Sequence, residues 1–177
     1  MDILKDITPA HTVCFSGHRP DRLPGNGNPD TWEAQKLAAL LQKQIEESIK
    51  RGKNTFCHGA MAGFDIFAAE QVIALKEKYP HIRLITIAPY SVRFFSYEKC
   101  WTSDWINRGK EIIRKHDTGI SIAEHYRSGI YYERNRTLVN NSSELICFWD
   151  GKKGGTQHTH DYAKKQGLRI IKLYPCL

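Results

Sequence analysis

The sequence predicts a Rossmann-like α/β fold, in which a mostly parallel sheet carries helices on both faces. The first observation behind this prediction is that short apolar runs alternate with helical periodicities along the chain, as in successive βαβ units. The second is that no internal repeat, low-complexity tract or linker divides the 177 residues. A chain of this length, with 41% hydrophobic and 25% charged residues, suits one domain with a sizeable core, so we expect a single domain over residues 1–177.

The predicted strands are short apolar runs bounded by turn-forming residues. Residues 12–16 form the first strand, which Gly17 ends, and residues 144–149 form a strand of strongly buried character. The remaining strands are predicted at residues 54–57, 82–88, 118–123 and 169–174.

Helices are predicted from apolar stripes at helical spacing and from end signals. Asp30, with Glu33 three residues later, signals the start of the first helix, which follows a loop rich in Gly, Asn and Pro and stops at Gly52. The second helix covers residues 64–79, and Pro80 ends it. Further helices are predicted in the later half of the segment 89–109, continuing to residue 116, and at residues 131–141 and 156–166.

Composition and charge indicate which partners and which cellular compartment to expect. The chain has 26 Lys and Arg against 19 Asp and Glu, a net charge of +7, which favours an anionic partner without choosing between nucleotide, nucleic acid and phosphosugar. No long apolar stretch suggests a membrane partner, and the N-terminus lacks the apolar block of a signal peptide, so we expect a cytoplasmic protein. The odd number of cysteines, five, and the absence of a C-x-x-C pair agree with that expectation.

The turn at residues 58–65 is the strongest local signal. It joins a short strand to a strongly periodic helix, and its small residues leave the backbone bare. Phosphate binds well at such junctions, because the first N–H groups of a helix lack intrahelical partners and the dipole makes that end partly positive. Close packing alone also explains small residues at a strand-helix turn. A second glycine-rich turn, residues 150–156, adds weight to the phosphate interpretation.

In a parallel sheet, ligands bind at the carboxyl ends of the strands. The first, second and penultimate strands tend to lie side by side, so the turns that follow them are expected to face one crevice, with the helix that holds Arg134 leaning into it. The residues that we expect to contact the ligand are Ser16, Gly17, His18, Arg19, Gly59, Ala60, Gly63, Asp65, Tyr90, Arg134, Arg136, Gly154, Gly155, Thr156 and Thr159.

Three motifs in this order resemble the SLOG superfamily, most closely its YpsA-like branch. They are Ser-Gly-His-Arg at residues 16–19, Gly-x-x-x-Gly-x-Asp-x-x-Ala-Ala-Glu at residues 59–70, and Glu-Arg-Asn-Arg at residues 133–136 ahead of Gly-Gly-Thr-x-x-Thr at residues 154–159. The superfamily includes the LOG cytokinin-activating phosphoribohydrolases and the DNA-processing protein DprA/Smf. The resemblance covers nearly the whole chain, and it implies a Rossmann-like fold that binds a nucleotide or a nucleotide-derived ligand.

Several candidate residues have a structural interpretation as well as a functional one. Asp65 lies in the first turn of its helix, where it either complements the dipole or holds sugar hydroxyls. His18 is either a neutral turn residue or, beside Arg19, an anion contact. Thr156 and Thr159 either cap a helix or contact phosphate. His158 and His160 point to different sides of a helix start with no further ligand nearby, so we expect no metal and no cofactor.

Whether the protein is an enzyme depends on two motifs of the LOG branch. The resemblance implies that an arginine in a Glu-Arg motif and a glutamate after a Gly-Gly-x-Gly-Thr turn are catalytic. Glu133 and Arg134 match the first motif, but no glutamate follows the turn at residues 154–156. Cleavage of an N-glycosidic bond needs a carboxylate, and Asp65, Asp150 or Asp161 would have to replace the missing glutamate.

Residues 89–110 interleave aromatics with cations, as base-stacking surfaces of single-stranded nucleic-acid-binding proteins do. The alternative is that most of these aromatics cover the sheet or a subunit contact in a homo-oligomer, which leaves Tyr90, Trp101 or Trp105 to stack on a ligand base. The sequence therefore predicts first a nucleotide-binding sensor or ligand-binding protein, second a nucleotide N-glycoside hydrolase, and third a DprA-like binder of single-stranded DNA.

Overall fold

The computed structural model describes residues 3–92 and 98–174, and its centre is one six-stranded sheet in the order β4-β3-β2-β1-β5-β6. Every neighbouring pair of strands is parallel. The strands are β1 Thr12–Gly17, β2 Thr55–His58, β3 Arg83–Tyr90, β4 Thr118–Ala123, β5 Glu144–Phe148 and β6 Arg169–Lys172, and the α-helices are α1 Trp32–Lys50, α2 Phe64–Leu75, α3 Ser103–Lys115, α4 Ile130–Asn140 and α5 Gly155–Lys165. The predicted α/β Rossmann-like fold is confirmed.

The sheet is covered on both faces, because successive strand residues point to opposite sides. In β1, Val13 and Phe15 join a core that includes residues of α1, α2 and α3, whereas Cys14 joins a second core with residues of α4 and α5. Cys57 and Cys147 belong to the second core too, and burial raises the pKa of the Cys147 thiol to about 11. These cysteines are small buried hydrophobes.

Some element ends differ from the sequence prediction by a few residues. The N-cap of α1 is Thr31 rather than Asp30, since the Thr31 hydroxyl accepts a hydrogen bond from the Ala34 N–H at 3.4 Å. Helix α2 ends at Leu75, although the Tyr79 N–H still donates to the Leu75 carbonyl at 2.8 Å. The apolar periodicity therefore continues through one turn beyond the regular helix.

The strand order determines where the loops meet. β1 lies between β2 and β5, so the segments that follow these three strands leave the sheet side by side at its carboxyl end. The loop after β1 contains two 3-10 turns, Pro20–Arg22 and Pro24–Gly27. In residues 3–92 and 98–174, no helix is both long enough and apolar enough to cross a membrane.

Candidate functional site

A cavity of about 460 Å³ opens at the carboxyl ends of β1, β2 and β5, and we call it the main cavity. Four stretches of chain line it: the end of β1 and its loop, the start of α2, the start of α4 and the start of α5. The lining residues are Phe15, Ser16, Gly17, His18, Arg19, Asp21, Arg22, Met61, Ala62, Phe64, Asp65, Tyr131, Tyr132, Arg134, Asn135, Gly155 and Thr156.

A buried ion pair forms the floor of the main cavity. Nη1 of Arg134 on α4 donates to Oδ2 of Asp65 on α2 at 3.1 Å, and it also donates to the Gly59 carbonyl. Burial lowers the pKa of the Arg134 guanidinium, and the Asp65 charge opposes that shift. The buried Nε of Arg134 has no hydrogen-bond partner among the described residues. Glycine at residue 59 leaves room for this pair, because a Cβ there would lie 1.6 Å from Nη1 of Arg134 and would displace the guanidinium.

The N-terminus of α2 is already occupied by the protein itself. The Phe64 N–H donates to the His18 carbonyl at 3.0 Å, and the Asp65 carboxylate accepts from the Met61 N–H at 3.3 Å. Gly63 has φ +104°, and a Cβ at this residue would lie 2.5 Å from the His18 carbonyl oxygen. This glycine therefore allows the loop after β1 to approach α2, and the carboxylate of Asp65 adds negative charge at that helix end.

The N-terminus of α5, in contrast, is open. Among the described residues no side chain caps it, and no acidic residue lies in its first turn. A Cβ at Gly154 or Gly155 would meet nothing within 4 Å, and Gly155 and Thr156 line the main cavity. Backbone N–H groups and the positive end of the dipole are thus available to an anion there.

His18, Arg22 and Asp150 join the loop after β1 to the loop after β5. Nη2 of Arg22 donates to both carboxylate oxygens of Asp150, at 2.6 and 2.7 Å, and these bonds hold the pKa of Asp150 well below its usual range. Burial lowers the pKa of His18, so its neutral Nε2 accepts the Asp150 N–H at 3.1 Å. Asp150 thus acts as a fixed anion that holds two loops together.

Aromatic side chains stand beside the main cavity. The Arg19 guanidinium lies 5.7 Å from the ring centre of Tyr131, and the hydroxyls of Tyr131 and Tyr90 both donate to Glu98. Burial raises the pKa of Tyr90 to about 12, so this hydroxyl keeps its proton. Tyr126 is 64% exposed and its ring centre lies 6.1 Å from that of Tyr131.

The structure gathers about half of the predicted ligand residues at the main cavity. These are Ser16, Gly17, His18, Arg19, Asp65, Arg134, Gly155 and Thr156. Gly59, Ala60, Gly63, Tyr90 and Gly154 are not among its lining residues, and Arg136 and Thr159 line another cavity. Glu133 is not a lining residue either, since its carboxylate accepts from Arg127 at 2.5 Å in an exposed ion pair.

Three lining side chains on α4, those of Tyr131, Tyr132 and Asn135, were not among the predicted residues. The signal for two of them was helical spacing, because Tyr131 lies three residues before Arg134 and four residues before Asn135, so that its side of the helix borders both. Arg22, which was not among the predicted residues, lines the main cavity as well. No pattern in the loop after β1 distinguishes Arg22 from a surface arginine.

A second cavity of about 270 Å³ lies between α4 and α5, and we call it the α4–α5 groove. Tyr132 and Asn135 line both this groove and the main cavity. The other lining residues are Arg136, His158, Thr159, Asp161, Tyr162 and Lys165. Within the described ranges, no cluster of three or more His, Cys, Asp or Glu side chains is placed to hold a metal ion.

Comparison with family models decides the family. The model named YpsA, described as the YspA SLOG family, matches residues 13–174, which include the five α-helices α1 to α5 and all of the six-stranded sheet except Thr12. The chain belongs to the YpsA family of SLOG proteins. The SLOG resemblance of the three sequence motifs is therefore confirmed, together with the YpsA-like branch.

Proteins of Bacillus and Halalkalibacterium are among the relatives of this chain. The chain is 30% identical over 151 residues to the SPbeta prophage-derived protein YoqJ of Bacillus subtilis (strain 168), covering 79% of this chain and 88% of YoqJ. It is 30% identical over 133 residues to a UPF0398 protein of Halalkalibacterium halodurans, covering 73% and 68% of the two chains. It is 20% identical over 146 residues to YpsA of B. subtilis, covering 81% and 78%.

Two solved structures share the fold of this YpsA-family chain. DNA processing protein A from Helicobacter pylori, described with its single-stranded DNA binding mode, superposes with a TM-score of 0.62 at 19% identity, over 97% of this chain and 68% of that chain. DprA from Streptococcus pneumoniae superposes with a TM-score of 0.58 at 17% identity, over 97% and 51%. The chain thus corresponds to about half of the S. pneumoniae protein.

Proposed function

We propose that this protein binds a nucleotide, or a small molecule derived from one, in the main cavity, as a sensor or ligand-binding protein. One observation carries the proposal: an uncapped helix N-terminus and a buried arginine–aspartate pair line the same cavity of about 460 Å³. This volume lies within the roughly 300–1,000 Å³ typical of small-molecule sites. The combination offers an anion site and a hydrogen-bonding site to one ligand.

We assign the phosphate of the ligand to the start of α5, at Gly155 and Thr156. The support is electrostatic, because this helix end has a free approach and no acidic side chain in its first turn. The turn at residues 58–65 is less suitable than its sequence suggests. Asp65 already brings negative charge to the N-terminus of α2, and the His18 carbonyl accepts the first N–H of that helix.

We assign the sugar to the floor of the main cavity and the base to its aromatic side. The Asp65 carboxylate accepts hydrogen bonds and so suits sugar hydroxyls. Asn135 on α4 lines the same cavity and offers a side-chain amide. Tyr131, with Arg19 beside its ring, offers a stacking surface for a base. Tyr90 takes no part in this assignment, since it is 3% exposed and its hydroxyl donates to Glu98.

The assignment is tested with a pair of nearly isosteric variants at one residue. Gly155→Asp places a carboxylate at the start of α5, where it competes with phosphate, while Gly155→Asn places a neutral side chain of similar size there. We expect nucleoside monophosphate affinity, measured by calorimetry, to fall at least about tenfold in Gly155→Asp and much less in Gly155→Asn, with both proteins folded. Equal affinities in the two variants would contradict a phosphate at this helix end.

Hydrolysis of a nucleotide N-glycosidic bond is the second candidate function. It is favoured by the carboxylates of Asp65 and Asp21, which line the main cavity. Asp150 is held by Arg22, and Asp161 lines the α4–α5 groove. We expect nucleoside monophosphates to remain intact on long incubation, as followed by chromatography for released base. Release of base that is lost in Asp65→Asn or Asp21→Asn would instead establish the enzyme.

Binding of single-stranded DNA is the third candidate, and the description of H. pylori DprA supports it. The charge on this chain suits it as well. A protein that neutralises many phosphates of a DNA strand releases many counterions, so its affinity for the strand falls steeply as the salt concentration rises. Binding of one phosphate at a helix end should depend only weakly on salt. Titration with a mononucleotide and a 12-nucleotide single strand at several salt concentrations separates the two. We expect the mononucleotide to bind with a shallow slope.

A further inference from the structure

We propose that the ligand of this protein is a dinucleotide, whose second nucleotide unit lies in the α4–α5 groove. This inference rests on the proposed nucleotide function of the main cavity and extends it to the class of ligand. The groove is about 270 Å³, near the roughly 300 Å³ lower end of small-molecule sites. It is therefore large enough for part of a ligand and small for a complete one.

The groove and the main cavity are continuous along α4. Tyr132 and Asn135, three residues apart and so on one side of the helix, line both of them. The neighbouring residues divide between the two, since Arg134 lines the main cavity and Arg136 lines the groove. A ligand whose phosphate lies at the start of α5 can thus extend past Tyr132 and Asn135 into the α4–α5 groove.

The charges of the groove favour an anionic group. Arg136 and Lys165 line it, and within residues 3–92 and 98–174 neither cation is paired with a carboxylate. The Arg136 guanidinium lies 5.6 Å from the ring centre of Tyr162, which also lines the groove. The only described carboxylate in its lining belongs to Asp161, whose Oδ1 lies 2.9 Å from Nδ1 of His160. Cations that have no carboxylate partner and lie beside a concave surface are the arrangement expected for a second phosphate.

The aromatic side chain at the boundary suits a nucleoside. Tyr132 is 50% exposed although it is a large aromatic residue, and its ring centre lies 5.0 Å from that of His158 in an edge contact. Stacking of a base would cover this exposed surface. From Thr159 to Lys165 the groove follows α5 for six residues, or about 9 Å, away from the helix N-terminus.

The proposal is tested by comparing mononucleotides with dinucleotides that contain the same base. The probes are adenosine and guanosine monophosphates and the corresponding dinucleoside diphosphates, titrated by calorimetry into the full chain. The variants are Arg136→Gln and Lys165→Gln, with Lys164→Gln as the matched control, because Lys164 is exposed on the same helix turn and lines neither cavity. Thermal unfolding checks that each variant is folded.

We expect a dinucleotide to bind about tenfold more tightly than its mononucleotide, which is the effect of one hydrogen bond to a charged group. Arg136→Gln and Lys165→Gln should each remove most of this excess and leave mononucleotide affinity within about twofold, since neither residue lines the main cavity. Lys164→Gln should behave as the parent.

The other outcomes overturn the proposal in distinguishable ways. If the parent binds mononucleotide and dinucleotide equally, the dinucleotide inference is wrong and the nucleotide function stands. If the parent binds neither, the proposed function fails and the inference fails with it. If a 12-nucleotide single strand binds more tightly than any dinucleotide and loses affinity in Arg136→Gln, the groove is part of a nucleic-acid surface instead.

Discussion

Nη1 of Arg134 lies 3.1 Å from Oδ2 of Asp65, and the two side chains are only 7% and 10% exposed. The pair joins α4 to α2 across the carboxyl end of the sheet, and the Gly59 carbonyl accepts from the same nitrogen. Each of these buried charges needs the other, because a single buried charge without a partner has a large desolvation penalty. The pair therefore has a structural role in addition to any contact with ligand.

Removal of one partner of this pair should destabilise the protein strongly. We expect Arg134→Met to lower the free energy of unfolding by about 3–5 kcal/mol, because Asp65 is left as an uncompensated buried charge. The double variant Arg134→Met/Asp65→Asn should cost less than the sum of the two single changes, as measured by urea unfolding. Additive costs would show that the two side chains act independently.

Arg134 is also expected to contribute to nucleotide affinity, and Arg134→Lys tests this with the charge retained. A lysine keeps a cation near Asp65 but loses the planar fork of the guanidinium. We expect the variant to remain folded and to bind a nucleoside monophosphate more weakly by about 1.5–3 kcal/mol, the range for a hydrogen bond to a charged group. Calorimetry on the folded variant measures this loss of affinity. An affinity equal to that of the parent would show that Arg134 does not contact the ligand.

Gly63 is expected to matter for folding before it matters for binding. Gly63→Val should destabilise the protein by several kcal/mol, on the order of 3, because φ is +104° and the new Cβ would lie 2.5 Å from the His18 carbonyl oxygen. Gly155→Val is the control, since a Cβ at that residue meets nothing within 4 Å. We expect this control to keep its thermal stability and lose nucleotide affinity. A stable Gly63→Val protein would contradict the close approach of the two loops.

Three histidines should make the protein less stable in mild acid. Burial lowers the pKa of His18, His58 and His116 below 6.5, and that of fully buried His58 falls to about 3. Unfolded histidines take up protons near pH 6.5 and these folded ones do not, so the unfolded state binds more protons below that pH. The free energy of unfolding should therefore fall as pH drops from 6.5 to 5, with a slope from His58 alone that approaches about 1.4 kcal/mol per pH unit at the acid end of this range.

His58→Gln isolates that contribution. The variant loses stability at neutral pH, because His58 accepts the Ala60 N–H at 3.3 Å and lies 2.8 Å from the Thr86 hydroxyl. Its pH slope between 6.5 and 5, from urea unfolding at several pH values, should be shallower by about one proton. A slope equal to that of the parent would mean that His58 is not kept neutral in the folded protein.

Trp105 should stabilise the fold and contribute nothing to nucleic-acid binding. Its side chain is buried, the Arg108 guanidinium lies 3.8 Å from its ring centre, and Arg108 is paired with Glu70. Trp105→Ala should cost about 3–5 kcal/mol in urea unfolding. Trp32→Ala, at a tryptophan that is 56% exposed, should change stability by no more than about 0.5 kcal/mol. Loss of oligonucleotide affinity in a folded Trp105→Ala protein would restore the base-stacking interpretation.

The fold was predictable because its signals are local. Mostly apolar runs such as Glu144–Phe148 predict strands, and apolar stripes such as that of α1 predict helices. The alternation of the two along the chain predicts a parallel sheet. The meeting of the loops after β1, β2 and β5 followed from topology, and the structure has this strand order. The end of α2 was missed by a few residues, because its apolar spacing continues beyond the regular helix.

The candidate site was less predictable because its details depend on contacts between distant segments. The sequence favoured the turn at residues 58–65 for phosphate, and it contains no sign that Asp65 turns back onto the Met61 N–H and meets Arg134. Likewise, Tyr90, Trp101 and Trp105 were the residues expected to be left for stacking on a base, but all three are buried. Residues 93–97 of the same aromatic stretch lie outside the described residues.

The position of β5 has a consequence for how the protein folds. Val13 in β1 pairs with Glu144 in β5, 131 positions further along the chain, and this pairing brings the start of α5 to the cavity. Contacts between such distant segments form late, because the entropy of closing the long intervening chain must be paid first. An amino-terminal fragment or a nascent chain that lacks β5 therefore lacks the part of the main cavity that α5 lines. Recovery of ligand binding during refolding should accordingly follow the slowest kinetic phase.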